Sequence, residues 1–173
     1  MNKGRGITPR LKSSIESAFQ CRIYRGSIPH GTDLFMDLGQ SFGIESFRTV
    51  FDIGANIGQS SQTYLERFPA ADIYAFEPVS TSYSKLMALS VANTRLHAFG
   101  FGMGKAPGAF PIHVNPNSKR NSLHHAYAES HLETIQINTT AAFCTENGID
   151  RIDFMKIDTE GYELEVLEGA IEL

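Results

Sequence analysis

The sequence predicts an α/β fold, a mostly parallel sheet with helices on both faces. Three observations carry this. From Thr49 onward, short apolar runs alternate with longer helical stretches. The runs "TVFDIG", "ADIYAFEP" and "RIDFMKID" are nearly continuous in apolar residues, as strands covered on both faces require. The first run ends in "DIGANIG", a glycine turn that opens straight into a helix.

Residues 1–48 read as an appendage. "PRLKSSIESAF" suits a short helix, and "SIPHGTDLFMDLGQSFG" looks broken by Pro29, Gly31, Gly39 and Gly43. The alternating domain, residues 49–173, begins with the strand "TVFDIG" and the helix "QSSQTYLERF", which Pro69 stops. "ADIYAFEP" is a second strand closed by Pro78. "STSYSKLMALSVAN" is a helix with Ser80 or Thr81 as the expected N-cap. "TRLHAFGFG" is a third strand. "GAFPIHVNPNSKRNSLHHAYAES" carries turn signals and short β-prone runs, so a hairpin or loop excursion is expected, followed by a strand at "LETIQIN". "TTAAFCTENG" is a short helix ended by Gly148. "RIDFMKID" is a further buried strand. "GYELEVLEGAIEL" is an amphipathic helix expected to bury Leu164, Val166, Leu167 and Ile171.

In a doubly wound sheet that last helix returns to another strand. The expectation is therefore a domain truncated at its C-terminus, with weak or no turnover. An exposed strand edge would then be covered by another copy, a possible homo-oligomer, or by residues 1–48.

The 173 residues are 42% hydrophobic and 20% charged, enough for one domain with a substantial core. A net charge of −4 argues against a nucleic-acid or membrane-surface partner. The basic N-terminus lacks the apolar stretch of a signal peptide, and no run is long enough to span a membrane. Cys21 and Cys144 form no metal-binding spacing, and a reducing cytoplasmic setting is expected.

The glycine turn lies where parallel strands present a ligand crevice. Gly54 and Gly58 permit a tight turn and close backbone approach, and the helix start offers free N–H groups. The order Gly54, Asn56, Gly58 is neither the dinucleotide fingerprint nor a phosphate-binding Walker loop. Asp52, at the end of the strand, either accepts from a ligand amine or orders the turn amides. Glu77 ends the second strand about twenty residues on, where an acid accepts from both ribose hydroxyls of a nucleotide. Pro78 after it fixes the turn and so holds the carboxylate in place.

"FDIGANIGQSSQTYLERFP", "IYAFEPVSTSYSKL" and "IDFMKIDTEGYELEVLEGA" together resemble the FkbM family of S-adenosylmethionine-dependent methyltransferases, in order and spacing from about Thr49 to the last residue. The resemblance implies a Rossmann-like class I methyltransferase fold and O-methylation of a hydroxyl, often on a sugar or a secondary metabolite. It implies S-adenosyl-L-methionine as cofactor, its methionine part held by Asp52, Gly54, Ala55, Asn56 and Gly58, and its ribose by Glu77 beside Pro78. It places Lys156, Asp158 and Glu160 facing the transferred methyl. In one respect the chain departs from the family: a Thr-Leu-Asp run is usual before the short helix, and here Thr140 and Ala141 fill its last two places.

A hydroxyl is a poor nucleophile until it loses its proton, so a base is useful. Asp158 is the first candidate and Glu160 the second, with Lys156 orienting one of them or lowering the acceptor's pKa. The same three residues also fit an ion-pair cluster capping the last helix. His124 and His125 are a base on a loop over the cleft or plain surface histidines. Lys119 and Arg120 sit in a polar loop that would suit an acidic acceptor. No ligand spacing requires a metal. Methylation of nucleic-acid bases lacks its Pro-Pro-aromatic motif, and an NAD oxidoreductase lacks its glycines. The alternative of another class is a non-catalytic fragment that binds cofactor or a partner.

Overall fold

The computed structural model describes residues 8–19, 21, 23, 24, 29–115 and 131–171. The chain divides into two compact units, Met1–Phe42 and Gly43–Leu173. The division falls before Thr49 because Phe47 is buried and stacks on Phe68 of the second unit at 5.4 Å.

The first unit holds helices α1 (Pro9–Phe19) and α2 (Leu34–Phe42). The segment expected to be broken is thus helical over nine residues and runs through Gly39. Its start is capped by Asp33, whose carboxylate accepts from the Met36 N–H at 2.9 Å. Gly43 follows it in the left-handed region, at φ 67°.

The second unit is built on strands β1 (Thr49–Ile53), β2 (Asp72–Phe76), β3 (Leu96–Phe99) and β7 (Phe154–Ile157), in the order β3-β2-β1-β7, all parallel. Helices α3 (Gln59–Arg67) and α4 (Ser80–Val91) connect the first three strands, following the expected alternation. Among the described residues β7 pairs with β1 alone. A second sheet, in the order β4-β6-β5, comprises β4 (Gly102–Met103), β5 (Gly108–Val114) and β6 (His131–Asn138). The expected excursion is thus a β5–β6 antiparallel pair, with β4 parallel to β6. Helices α5 (Thr140–Asn147) and α6 (Glu163–Glu168) flank β7 in sequence.

Side-chain alternation along β1 divides the core. Phe51 and Ile53 face one way, into a cluster with Phe76, Phe143 of α5 and Val166 of α6. Phe143 meets Phe76 edge-on at 5.0 Å and Phe99 at 4.9 Å. Val50 and Asp52 face the other way, toward α3. There Phe154, opposite Val50, packs against Tyr64 and Phe68, each at 5.4 Å. The sheet is therefore helix-covered on both faces.

Two local expectations are corrected. Neither Ser80 nor Thr81 caps α4; its N-cap is Val79, with no side-chain bond of its own. Glu77 accepts from the Val79 N–H and Glu133 from the Ser80 N–H, both at 2.9 Å, so carboxylates from elsewhere replace the local hydroxyl. In the last helix Val166 alone of the four expected core residues is buried. Leu164, Leu167 and Ile171 are 65%, 52% and 77% exposed. α6 is only six residues long, and within the described residues one stripe of it meets the core.

Candidate functional site

Three neighbouring parallel strands end level with one another. Ile53 of β1 lies opposite Phe76 of β2 and Ile157 of β7. The next residues, Gly54, Glu77 and Asp158, therefore leave the sheet side by side. Backbone bonds tie the exits together. The Gly54 and Ala55 N–H groups both donate to the Phe76 carbonyl at 3.0 Å, and the Asp158 N–H donates to Ile53 at 3.0 Å.

Register also brings Asp52 and Lys156 together as a cross-strand pair. The Lys156 ammonium stands 3.2 Å from Asp52 Oδ1 and 3.4 Å from Asp158 Oδ2, and donates to the Gly54 carbonyl at 3.0 Å. Asp52 is wholly buried, and its other oxygen accepts from the Ser61 hydroxyl of α3 at 2.7 Å. Burial pushes its carboxyl above the ordinary range, against the pull of Lys156 and Ser61. Asp52 thus neither orders the turn amides nor lines the cavity. It sits beneath, where it aims Lys156 and anchors α3.

Gly54 and Asn56 carry the bend of the turn, both in the left-handed region at φ 75° and 52°. A Cβ on Gly54 would collide with the Asp158 carbonyl oxygen, so this glycine is required by the neighbouring strand exit. The Asn56 N–H donates to Glu77 Oε2 at 2.9 Å, while Glu77 Oε1 takes the Val79 N–H. Glu77 is 6% exposed, and burial pushes its carboxyl up to about 7 although both amide bonds favour the charged form. It joins the β1 turn to the β2 exit.

These exits open into a cavity of about 360 Å³. Gly54, Ala55, Asn56, Glu77, Pro78, Lys156, Asp158 and Glu160 all line it. Gly58 does not. It is the N-cap of α3 at φ 91°, and a Cβ there would lie 2.6 Å from Leu89 of α4, so it serves helix packing. Glu160, at φ 55°, lies on a turn gripped by Glu163. One Glu163 oxygen accepts from the Thr159 N–H at 2.9 Å, the Thr159 hydroxyl at 3.1 Å and the Gly161 N–H at 3.1 Å. The start of α6 is thus held by Glu163, while Lys156 is turned toward Asp52 and Asp158. His124, His125, Lys119 and Arg120 lie outside the described residues.

The opposite wall was not anticipated. Ile112, Ile135 and Ile137 of the second sheet line the cavity with Met103 and Tyr162. The signal was present as alternation, Ile112 with Val114 and Ile135 with Ile137, the period of a sheet buried on one face. The two positions that depart from the family pattern lie away from the lining. Ala141 is in the first turn of α5 and donates its N–H to Gly169 at 3.0 Å, and Thr140 is buried beside it.

The family model described as the methyltransferase FkbM domain matches residues 52–173. The chain belongs to the FkbM methyltransferase family. It is 30% identical to methyltransferase sdnD of Sordaria araneosa, across 71% of this chain and 60% of that protein. It is 26% identical to Methyltransferase 1 of Beauveria bassiana (strain ARSEF 2860), across 69% of this chain and 57% of that protein. The chain thus spans somewhat over half the length of these curated relatives. No solved structure matches it. Among the described residues no helix is long and apolar enough to cross a membrane.

Proposed function

We propose that the chain binds S-adenosyl-L-methionine in this cavity and transfers its methyl group to a hydroxyl oxygen of a small molecule or glycan. The carrying observation is the convergence of three strand exits, bearing the glycine turn, Glu77 and the Lys156–Asp158 pair, on one cavity. Its volume suits a ligand of nucleoside size. Each Glu77 oxygen accepts one backbone N–H and keeps a lone pair directed elsewhere, as a ribose diol requires.

In this reading Glu77 holds the ribose hydroxyls, and the turn Gly54–Asn56 brings backbone against the amino-acid end. When bound, the cofactor supplies a sulfonium methyl open to in-line attack. Asp158, 63% exposed at its side chain, accepts the proton of the acceptor hydroxyl, and Lys156 fixes its direction. Glu160 is the second acid within reach of the same space. Calorimetry with S-adenosylhomocysteine, followed by methyl-labelled transfer to a panel of neutral alcohols and glycosides, tests the reading. One site per chain and label in an ether product are expected. A cooperatively folded chain that binds no adenosyl compound would overturn it.

A further inference from the structure

Glu163 lies off the cavity lining, yet one of its oxygens holds the stretch on which Asp158 stands. Oε1 accepts from the Thr159 N–H, the Thr159 hydroxyl and the Gly161 N–H, at 2.9, 3.1 and 3.1 Å. The peptide groups on both sides of Asp158 are therefore tied. Its own N–H donates to the Ile53 carbonyl at 3.0 Å, and the N–H that follows donates to Glu163. The first bond belongs to the sheet, and the second depends on Glu163. Beyond it, Glu160 and Gly161 are both in the left-handed region, at φ 55° and 105°. A non-glycine residue keeps that backbone state only where its surroundings over-determine it, and the Glu163 bonds lie on either side of Glu160. The Gly161 N–H foremost, with the N–H groups of Glu163 itself and Thr159, holds the Glu163 carboxyl below the ordinary range against its burial. Near neutral pH it is a carboxylate, an acceptor with no proton to give.

We propose that Glu163 is a positioning residue for methyl transfer: by gripping Thr159 and Gly161 it sets where the Asp158 carboxyl stands against the acceptor hydroxyl. The proposal rests on the transfer reading above. A base must lie within hydrogen-bond reach of the proton it takes, and a displacement of about 1 Å costs about 10²-fold in rate. Lys156 draws the Asp158 side chain from 3.4 Å, and Glu163 fixes the backbone that carries it. The glycine turn and Glu77 are held by separate bonds, to the Phe76 carbonyl and to the Asn56 and Val79 N–H groups. The hold on the nucleoside is thus independent of Glu163.

The test uses the full chain, methyl-labelled transfer to the best acceptor of the panel above, and calorimetry with S-adenosylhomocysteine. Glu163→Ala is expected to lower kcat about 10–100-fold, with nucleoside affinity changed within about threefold. Glu163→Gln keeps an oxygen at the same reach and should recover most of the rate. Glu163→Asp, one methylene short, should not. Hydrogen exchange at Thr159 and Gly161 should quicken in the alanine and aspartate forms and stay slow in the glutamine form. Because the effect runs through Asp158, adding Glu163→Ala to Asp158→Asn should cost at most about threefold more. Circular dichroism and urea melts establish which variants are folded, and if the alanine form is not, the aspartate form takes its place in each comparison. An unchanged kcat in the folded variant overturns the proposal. So does an equal loss of rate and nucleoside affinity, or losses that multiply in the double variant. If the unmodified chain labels no acceptor of the panel, the transfer reading fails and the proposal with it.

Discussion

Glu77 makes stability and ligand affinity depend on pH in opposite directions. In the unfolded chain its carboxyl titrates near 4.5, and in the fold near 7. Between these values the folded state holds a proton that the unfolded state has released. The stability this group contributes is complete below about pH 4.5 and lost as the pH rises through about 7. The span corresponds to about 3 kcal/mol, since each tenfold change in proton affinity is worth ~1.4 kcal/mol. Asp52, also raised, shares this sign, while two other carboxyls run the other way. Asp153, against the penalty of its burial, accepts from the Arg48 and Thr49 N–H groups, and Glu163 accepts from the turn before α6. Both are held below the ordinary range, so their contribution is lost as the pH falls. Glu77→Gln removes the titration of Glu77 and leaves theirs. Urea unfolding of both forms from pH 4.5 to 8 isolates the effect, with the unmodified chain losing about 3 kcal/mol relative to the glutamine form. Ligand binding has the reverse sign. Ribose hydroxyls donate to the carboxylate, so S-adenosylhomocysteine affinity should rise by up to about tenfold per pH unit below pH 7 and level off above it. Calorimetry in two buffers of different ionisation enthalpy should register a released proton. A flat stability difference, or affinity that falls as the pH rises, refutes the reasoning.

Gly54→Ala combines a left-handed backbone with collision against the Asp158 carbonyl, and should cost about 2–5 kcal/mol in urea melts and lose S-adenosylhomocysteine binding. Lys156→Met leaves Asp52 buried beside no cation and should cost about 3–5 kcal/mol; adding Asp52→Asn should recover part of it, and additive losses would show that the pair is not coupled. Asp158→Asn should lower methyl transfer by about 10²–10⁴-fold while S-adenosylhomocysteine affinity changes within about threefold; an unchanged rate would place the base elsewhere.

Much of the second unit is legible in its sequence because the signals are local. Apolar runs a few residues long mark β1, β2 and β7, and Thr139 and Gly148 bracket α5 through bonds made within it. The bent turn is written in Gly54 and Asn56. On the strand-exit side of the cavity, Gly54, Glu77 and Asp158 stand where single positions placed them, since strand exits in a parallel sheet point to one edge.

Roles within the site depend on contacts between distant segments, and these only the tertiary structure decided. Nothing near Asp52 in the sequence announces Lys156; the pairing follows from the register of β1 against β7, which packing sets. The same packing turns Asp52 toward Ser61, and it sets Gly58 close against Leu89. Glu77 reads as a ribose acid by position, yet its bonds to Asn56 and Val79, and the raised pKa that burial gives it, arise from two turns folded against each other. The isoleucine wall comes from a second sheet whose placement no local pattern specifies. Periodicity marks which residues of an element are apolar, but whether Leu164, Leu167 and Ile171 are covered depends on what packs there, and of the described residues of α6 Val166 alone is buried.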